Sequence, residues 1–176
     1  SQMELLGYSE WARLASITSM QVDPLDLNVR SQDEESDDFR YTRAWALWRE
    51  VEVARLVGEL AGQYRANRPG GKVYAMGSAN YFSWPISRRN FVLNNWLMWA
   101  KNGDIEGAFL EDDWTDKENA RLYEATVELC QKEGAPIPLY PIIPVKPDTT
   151  EGQIKAALEA IGGNPPPPMV VYRVDS

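Results

Sequence analysis

"IEGAFLEDDW", residues 105–114, reads as a buried strand that leaves the core through three consecutive acids and a tryptophan. Apart from Glu106, its first six residues carry apolar or small side chains on both alternating faces. That is the pattern of a parallel strand, covered on its two sides, rather than of an antiparallel strand with one wet face.

The neighbouring segments repeat the same alternation of elements. Upstream, Val53, Val57, Leu60 and Tyr64 recur at steps of four, three and four, which predicts a long helix over 42–66 that "NRPGG" ends. "KVYAMGS" (72–78) follows as a strand, and Ser87 can cap a helix running through Ala100, closed by "KNGD". Downstream, Ala120, Tyr123, Val127 and Cys130 mark the stripe of a further helix, stopped by "EGAP". "PIPLYPIIP" (136–144) is the next strand, although proline cannot donate to a ladder. Asp148 and Glu151 have the spacing of a capping box for a helix bearing Ile154, Ala157, Leu158 and Ile161. "MVVYRV" (169–174) closes the series. The order αβαβαβαβ implies an α/β fold with a parallel sheet and right-handed crossovers.

Residues 1–41 are less regular and form an acidic N-terminal arm ahead of the 42–176 βα unit. "YSEWARLAS" suggests one short helix, "VDPLDLN" a turn, and "SQDEESDD" a solvated loop that lacks the glycine and ligand spacing of a calcium loop. At 176 residues the chain suits one well-filled core.

Composition removes whole classes of chemistry. A net charge of −8, with no Lys/Arg cluster, argues against a nucleic-acid partner. The chain has no His, so acid/base work falls to carboxylates, Lys, Tyr or Cys, and no His-containing zinc site is possible. The single Cys130 allows no internal disulfide and lies in an apolar stripe. No cofactor or metal is implied. No apolar run is long enough to span a bilayer, and "SQMELLGYSE" lacks the regions of a signal peptide.

In parallel α/β folds ligands bind beyond the carboxyl ends of the strands. That rule selects residues 78–81, 111–114, 144–146 and 173–175. Acids beside aromatic rings are the equipment of a sugar cleft, with carboxylates for proton transfer and flat rings for apolar sugar faces. Within 105–114 the pleat decides which acid faces the cleft. If Ile105 and Phe109 meet the helices, Asp112 faces it; if the faces are exchanged, Glu111 does. Asp112 is taken first and Glu111 second, with Asp175 as the candidate second carboxylate. The alternative role for Asp112 and Asp113 is to cap a helix starting near Thr115. Asn80, Tyr81, Trp84, Asp113, Trp114 and Tyr140 are the candidate substrate-binding residues. Trp45 and Trp48 read as packing, Arg49 as solvated on a helix surface. "PGGK" (69–72) precedes its strand and so fails as a phosphate loop.

The ordered pieces "FRYTRAWALWREVEVARLVGELAGQYRANRPGGKVYAMG", "NNWLMWAKNGDIEGAFLEDDW", "PLYPIIPV" and "EGQIKAALEAIG" resemble the later half of the glycosyl-hydrolase-like family ten proteins. Trp45, Trp48 and Arg49 match a W-x-x-W-R helix; Trp96, Trp99, Gly103, Ile105 and Glu106 approximate the family's second tryptophan motif. The resemblance covers roughly residues 39–174. It implies a (β/α)8 barrel of which these strands are the fifth to eighth, acid/base hydrolysis of a glycosidic bond, a poly- or oligosaccharide substrate, and a secreted or periplasmic setting. "FLEDDW" departs from the family's Pro-Met-x-Tyr strand exit. A four-stranded half of a barrel would be a fragment of a longer chain, would close with a complementary chain or with itself, or would stand alone as an open, flavodoxin-like sheet. A non-catalytic glycan-binding or assembly module is the reading from another functional class.

Overall fold

The computed structural model describes residues 9–31, 33–85, 88–89, 92–112, 114, 121–162, 167–168 and 170–174. They form two compact units, one of residues 1–56 with 83–94 and one of residues 57–82 with 95–176.

In the first unit, helix α1 (Glu10–Met20) is capped by Ser9 and ends at Gln21, which adopts φ 58°. The Arg13 guanidinium grips Asp23, Nη2 to Oδ2 at 2.5 Å, and holds its carboxyl below the usual range. Helix α2 (Asp37–Asn67), whose residues from 57 onward belong to the second unit, starts five residues earlier than its apolar periodicity indicates, inside the acidic run. The cause is local: Ser36 Oγ accepts from Phe39 N (3.1 Å), and Asp37 and Asp38 lie in the first turn, where the helix dipole favours negative charge. Trp45 is fully buried and stacks on Trp48 with ring centroids 5.0 Å apart. Arg49, expected in solvent, is buried instead, its guanidinium 5.7 Å from the centre of the Trp45 ring. Glu50 is fully buried and accepts from Arg89 Nη2 at 2.8 and 2.9 Å.

The second unit is α/β. Its strands are β1 (Tyr74–Gly77), β2 (Gly107–Glu111), β3 (Leu139–Val145) and β4 (Val171–Val174). They form one sheet, all parallel, in the spatial order β1-β2-β3-β4. Between them lie α3 (Trp96–Lys101), α4 (Leu122–Lys132) and α5 (Glu151–Ile161). The order has no reversal among the described residues, whereas a flavodoxin-like sheet needs one. Right-handed crossovers in an unreversed order send every connecting helix to the same face.

The packing agrees. Ala75, Ala108, Leu110, Leu139 and Ile143 share one core with Trp96, Leu97 and Ala100 of α3, Tyr123 and Cys130 of α4, and Ala157 and Ile161 of α5. Burial among these groups raises the Cys130 thiol to about 11. On the opposite face Tyr74, Phe109 and Tyr140 contact one another, with centroids 5.0 to 5.9 Å apart. They close over Gly107, where a Cβ would lie 2.9 Å from Tyr140 Cε2. The two-sided cover expected of apolar parallel strands is thus replaced by helices on one side and rings on the other.

Local chemistry sets several boundaries that periodicity misplaces. β2 begins at Gly107 because Glu106 turns aside: its carboxylate accepts from Val73 N at 2.5 Å and from Arg65 Nη2 at 2.6 Å. Residues 93–95 are not helical, Leu93 has φ 49°, and Asn95 caps α3 by accepting from Met98 N (3.1 Å). Ser87, the expected cap, lies outside the described residues. The box on α5 is Thr150 with Gln153, two residues beyond the Asp148/Glu151 pair. β3 is an inner strand and yet contains Pro141 and Pro144, each removing one ladder donor. No helix among the described residues is long and apolar enough to cross a membrane.

Glu106 gives this fold an acid-sensitive joint. Burial raises its pKa, but the Val73 N–H and the Arg65 guanidinium outweigh that and leave it lowered. A carboxylate with a depressed folded pKa contributes stability above its unfolded value, near 4.3, and loses it as pH falls through the folded value. Glu106→Gln is expected to cost about 1 kcal/mol at pH 7, and the difference from wild type should shrink below pH 4 in urea titrations. A deficit that stays constant down to pH 3 would contradict this role.

Candidate functional site

The strands end where β2 and β3 are longest, and a cavity of about 460 Å³ opens beyond those ends, beside the start of α5. Glu111, Asp112 and Trp114 come from the β2 exit, Lys146, Asp148 and Thr149 from the β3 exit, and Gln153 from the first turns of α5. The floor is apolar, with Ile143, Ile154 and Ala157. A polar rim over an apolar floor, with convergent acids and amide, is the general form of a small-molecule pocket.

The two leading acids differ in role. Glu111 closes β2, half-buried, on the pleat shared with Phe109, and Phe109 lies on the face away from the helices. The faces are therefore exchanged relative to the arrangement that puts Asp112 first, even though Ile105 does join the helix-side core. The bend at Glu106 separates Ile105 from the pleat of β2.

Asp112, just past the strand, is tied down by three donors. Ser78 Oγ reaches Oδ1 at 2.6 Å, Ala79 N reaches Oδ2 at 2.7 Å, and Asn80 Nδ2 reaches Oδ1 at 3.1 Å. Asn80 N also donates to Ser78 Oγ at 3.0 Å, so the exit of β1 is knotted around this one carboxylate. Asp112 consequently joins the carboxyl ends of β1 and β2, and Asn80 serves as its donor.

The candidate aromatic platforms divide in the same way. Tyr81 is fully buried, edge-on to Phe82 at 5.3 Å. Trp114 is 1% exposed and donates Nε1–H to Ile142 O at 3.1 Å. Tyr140 belongs to the ring cluster on the open face, near the start of β3 rather than its end. Trp84 lies in the other unit, under the Arg88 guanidinium at 3.7 Å. Asp113 and Asp175 fall outside the described residues, as does the segment from Thr115 that Asp112 and Asp113 were expected to cap.

The structure adds Lys146, Asp148, Thr149 and Gln153 to the site. Lys146 stood in a selected strand exit, but Asp148 was assigned to a helix cap. Lys146 N donates to Thr149 Oγ1 at 2.8 Å, which curls this loop and leaves Asp148 exposed at the cavity. Among the described residues no group of three or more His, Cys, Asp or Glu side chains is arranged to hold a metal.

Fold and site together define an α/β protein with a one-sided parallel sheet and a carboxylate-bearing pocket at its carboxyl edge. No family model, curated protein or solved structure matches the chain.

Removing the Asp112 acceptor strands three donors at once, one of them a backbone N–H. Asp112→Ala should lower unfolding stability by about 2 kcal/mol or more, measured by denaturant titration. A loss under about 0.5 kcal/mol would show that the β1 exit does not depend on it.

Proposed function

We propose that this protein is carbohydrate-active and glycoside-hydrolase-like, binding an oligosaccharide in the pocket beyond β2 and β3. The observation that carries the reading is the meeting of Glu111 and Asp148 in one cavity of about 460 Å³. Hydrolysis of a glycosidic bond needs two carboxyl groups, one to protonate the leaving oxygen and one to act as nucleophile or to activate water. Glu111 and Asp148 take those parts here, while Lys146 and Gln153 supply donors for sugar hydroxyls. Asp112, the first choice from the sequence, holds the β1 exit in place beside them. The family resemblance of residues 39–174 supports the same substrate class and a (β/α)-barrel frame, of which the four strands would be one half.

The three donors on Asp112 favour a second reading, a non-catalytic glycan-binding module, because they commit the acid ranked first by the sequence to holding the β1 exit. The two readings separate cleanly. Under the first, the protein releases reducing ends from an oligosaccharide panel, and Glu111→Gln lowers that rate by roughly 10²-fold or more with an unchanged melting temperature. Binding of oligosaccharides by calorimetry without release supports the second. Neither binding nor release from a panel spanning neutral and amino sugars would overturn both.

A further inference from the structure

Beyond the question of what fills the pocket, the second unit has three unmatched apolar features. The outer sides of β1 and β4 pair with no strand among the described residues. Along the free side of β1 runs a mainly apolar groove of about 420 Å³ lined by Val57, Leu60, Ala61 and Tyr64 of α2 with Lys72, Val73 and Tyr74; no β2 residue lines it. At the opposite end of the sheet, Tyr172 and Val174 of β4 are 48% and 79% exposed.

These features are complementary in position as well as in chemistry. By register, Ile142 pairs with Val171, and Ile143 with Tyr172. Ile143 is on the helix-side core, so Tyr172 and Val174 alternate onto the helix side of the sheet, beyond the last helix that covers it. The helix preceding a parallel strand packs across that strand and the next one outward. The groove between α2 and β1 is therefore the slot for the helix-side residues of a strand laid beside β1. β4 carries two such residues, a ring and a branched aliphatic, and both are exposed. β1 bears no charged residue, so its edge offers no like-charge barrier to pairing.

We propose that the occupant is a second copy of this chain. β4 of one copy adds in parallel to β1 of the other, seating Tyr172 and Val174 in the α2–β1 groove, and the two-fold axis repeats the junction on the far side. The order β1-β2-β3-β4 then runs twice around a closed ring of eight parallel strands. Eight is the number whose interior is just filled by side chains, and the rings of Tyr74, Phe109 and Tyr140 from each copy supply that filling. The symmetry is isologous, with the same surface used by both partners and no edge left over. The exposed parts of Leu60, Tyr64, Tyr74, Met76, Tyr172 and Val174, together with the strand edges, amount to roughly the 800 Å² per partner of a standard stable interface. The pocket at the carboxyl ends would then take walls from both copies.

The test is the mass in solution. Light scattering across a concentration series is expected to give twice the 19.9 kDa chain mass. Val174→Asp and Leu60→Asp, both surface changes, should each weaken the dimer at least tenfold while circular dichroism keeps the wild-type spectrum. Because a charge in the groove can also perturb α2, the variants Leu60→Cys and Val174→Cys, each made with Cys130→Ala so that it carries one cysteine, provide a second readout: mixed under oxidation, they should cross-link to each other. A monomer at all concentrations, an open-ended polymer, or a dimer that both Asp variants leave intact would overturn the proposal.

Discussion

Everything in the second unit depends on a division of labour across one strand, β2. Ala108 and Leu110 project into a core built with α3, α4 and α5, while Gly107, Phe109 and Glu111 take the other face. The small residue at 107 lets the rings of Tyr74 and Tyr140 close over the backbone. Because the strand order never reverses, the same division holds along the sheet, and helices gather on one side. A two-layer solution of this kind leaves the far face to aromatic side chains and, among the described residues, leaves both edges unpaired.

The same asymmetry positions the chemistry. Parallel strands with all their helices on one side deliver every exit loop to one edge, and the two strand exits flanking the cavity each contribute acids. Asp112 knits the β1 exit to β2, so Ser78 and the start of the 3-10 turn Ala79–Ser83 are held by a carboxylate. Glu106 plays a matching part at the amino end, joining the entry to β1 through Val73 and α2 through Arg65. One acid at each end of β2 thus anchors a neighbouring segment, while Glu111, between them in chain order, lines the cavity.

The alternation of elements was legible because apolar spacing changes period from helix to strand, and the order αβαβαβαβ with a parallel sheet follows from it directly. Boundaries were less legible because single polar contacts decide them. Ser36 moves the start of α2 into the acidic run, Asn95 shortens α3, and Thr150 with Gln153 displaces the cap of α5. One-sided cover was hidden because Phe109 is about as apolar as Leu110, and hydropathy does not say which face meets a helix. At the site, the strand-exit rule found Glu111, Asp112 and Lys146, whereas the ranking of the acids failed at Glu106: its side chain breaks the pleat between Ile105 and Gly107. Asp148 was missed because a plausible cap spacing explained it away. Arg49 went unrecognised as buried because a ring face is among its partners, and charge pattern does not reveal such a contact.

The central claim, helices on one face and interlocked rings on the other, is tested most directly by nuclear Overhauser contacts of the aromatic protons. The account predicts contacts among Tyr74, Phe109 and Tyr140 and none from Phe109 or Tyr140 to the side chains of Leu97, Ala100 or Ala157. A contact between the Phe109 or Tyr140 ring and any of those helix residues would contradict it.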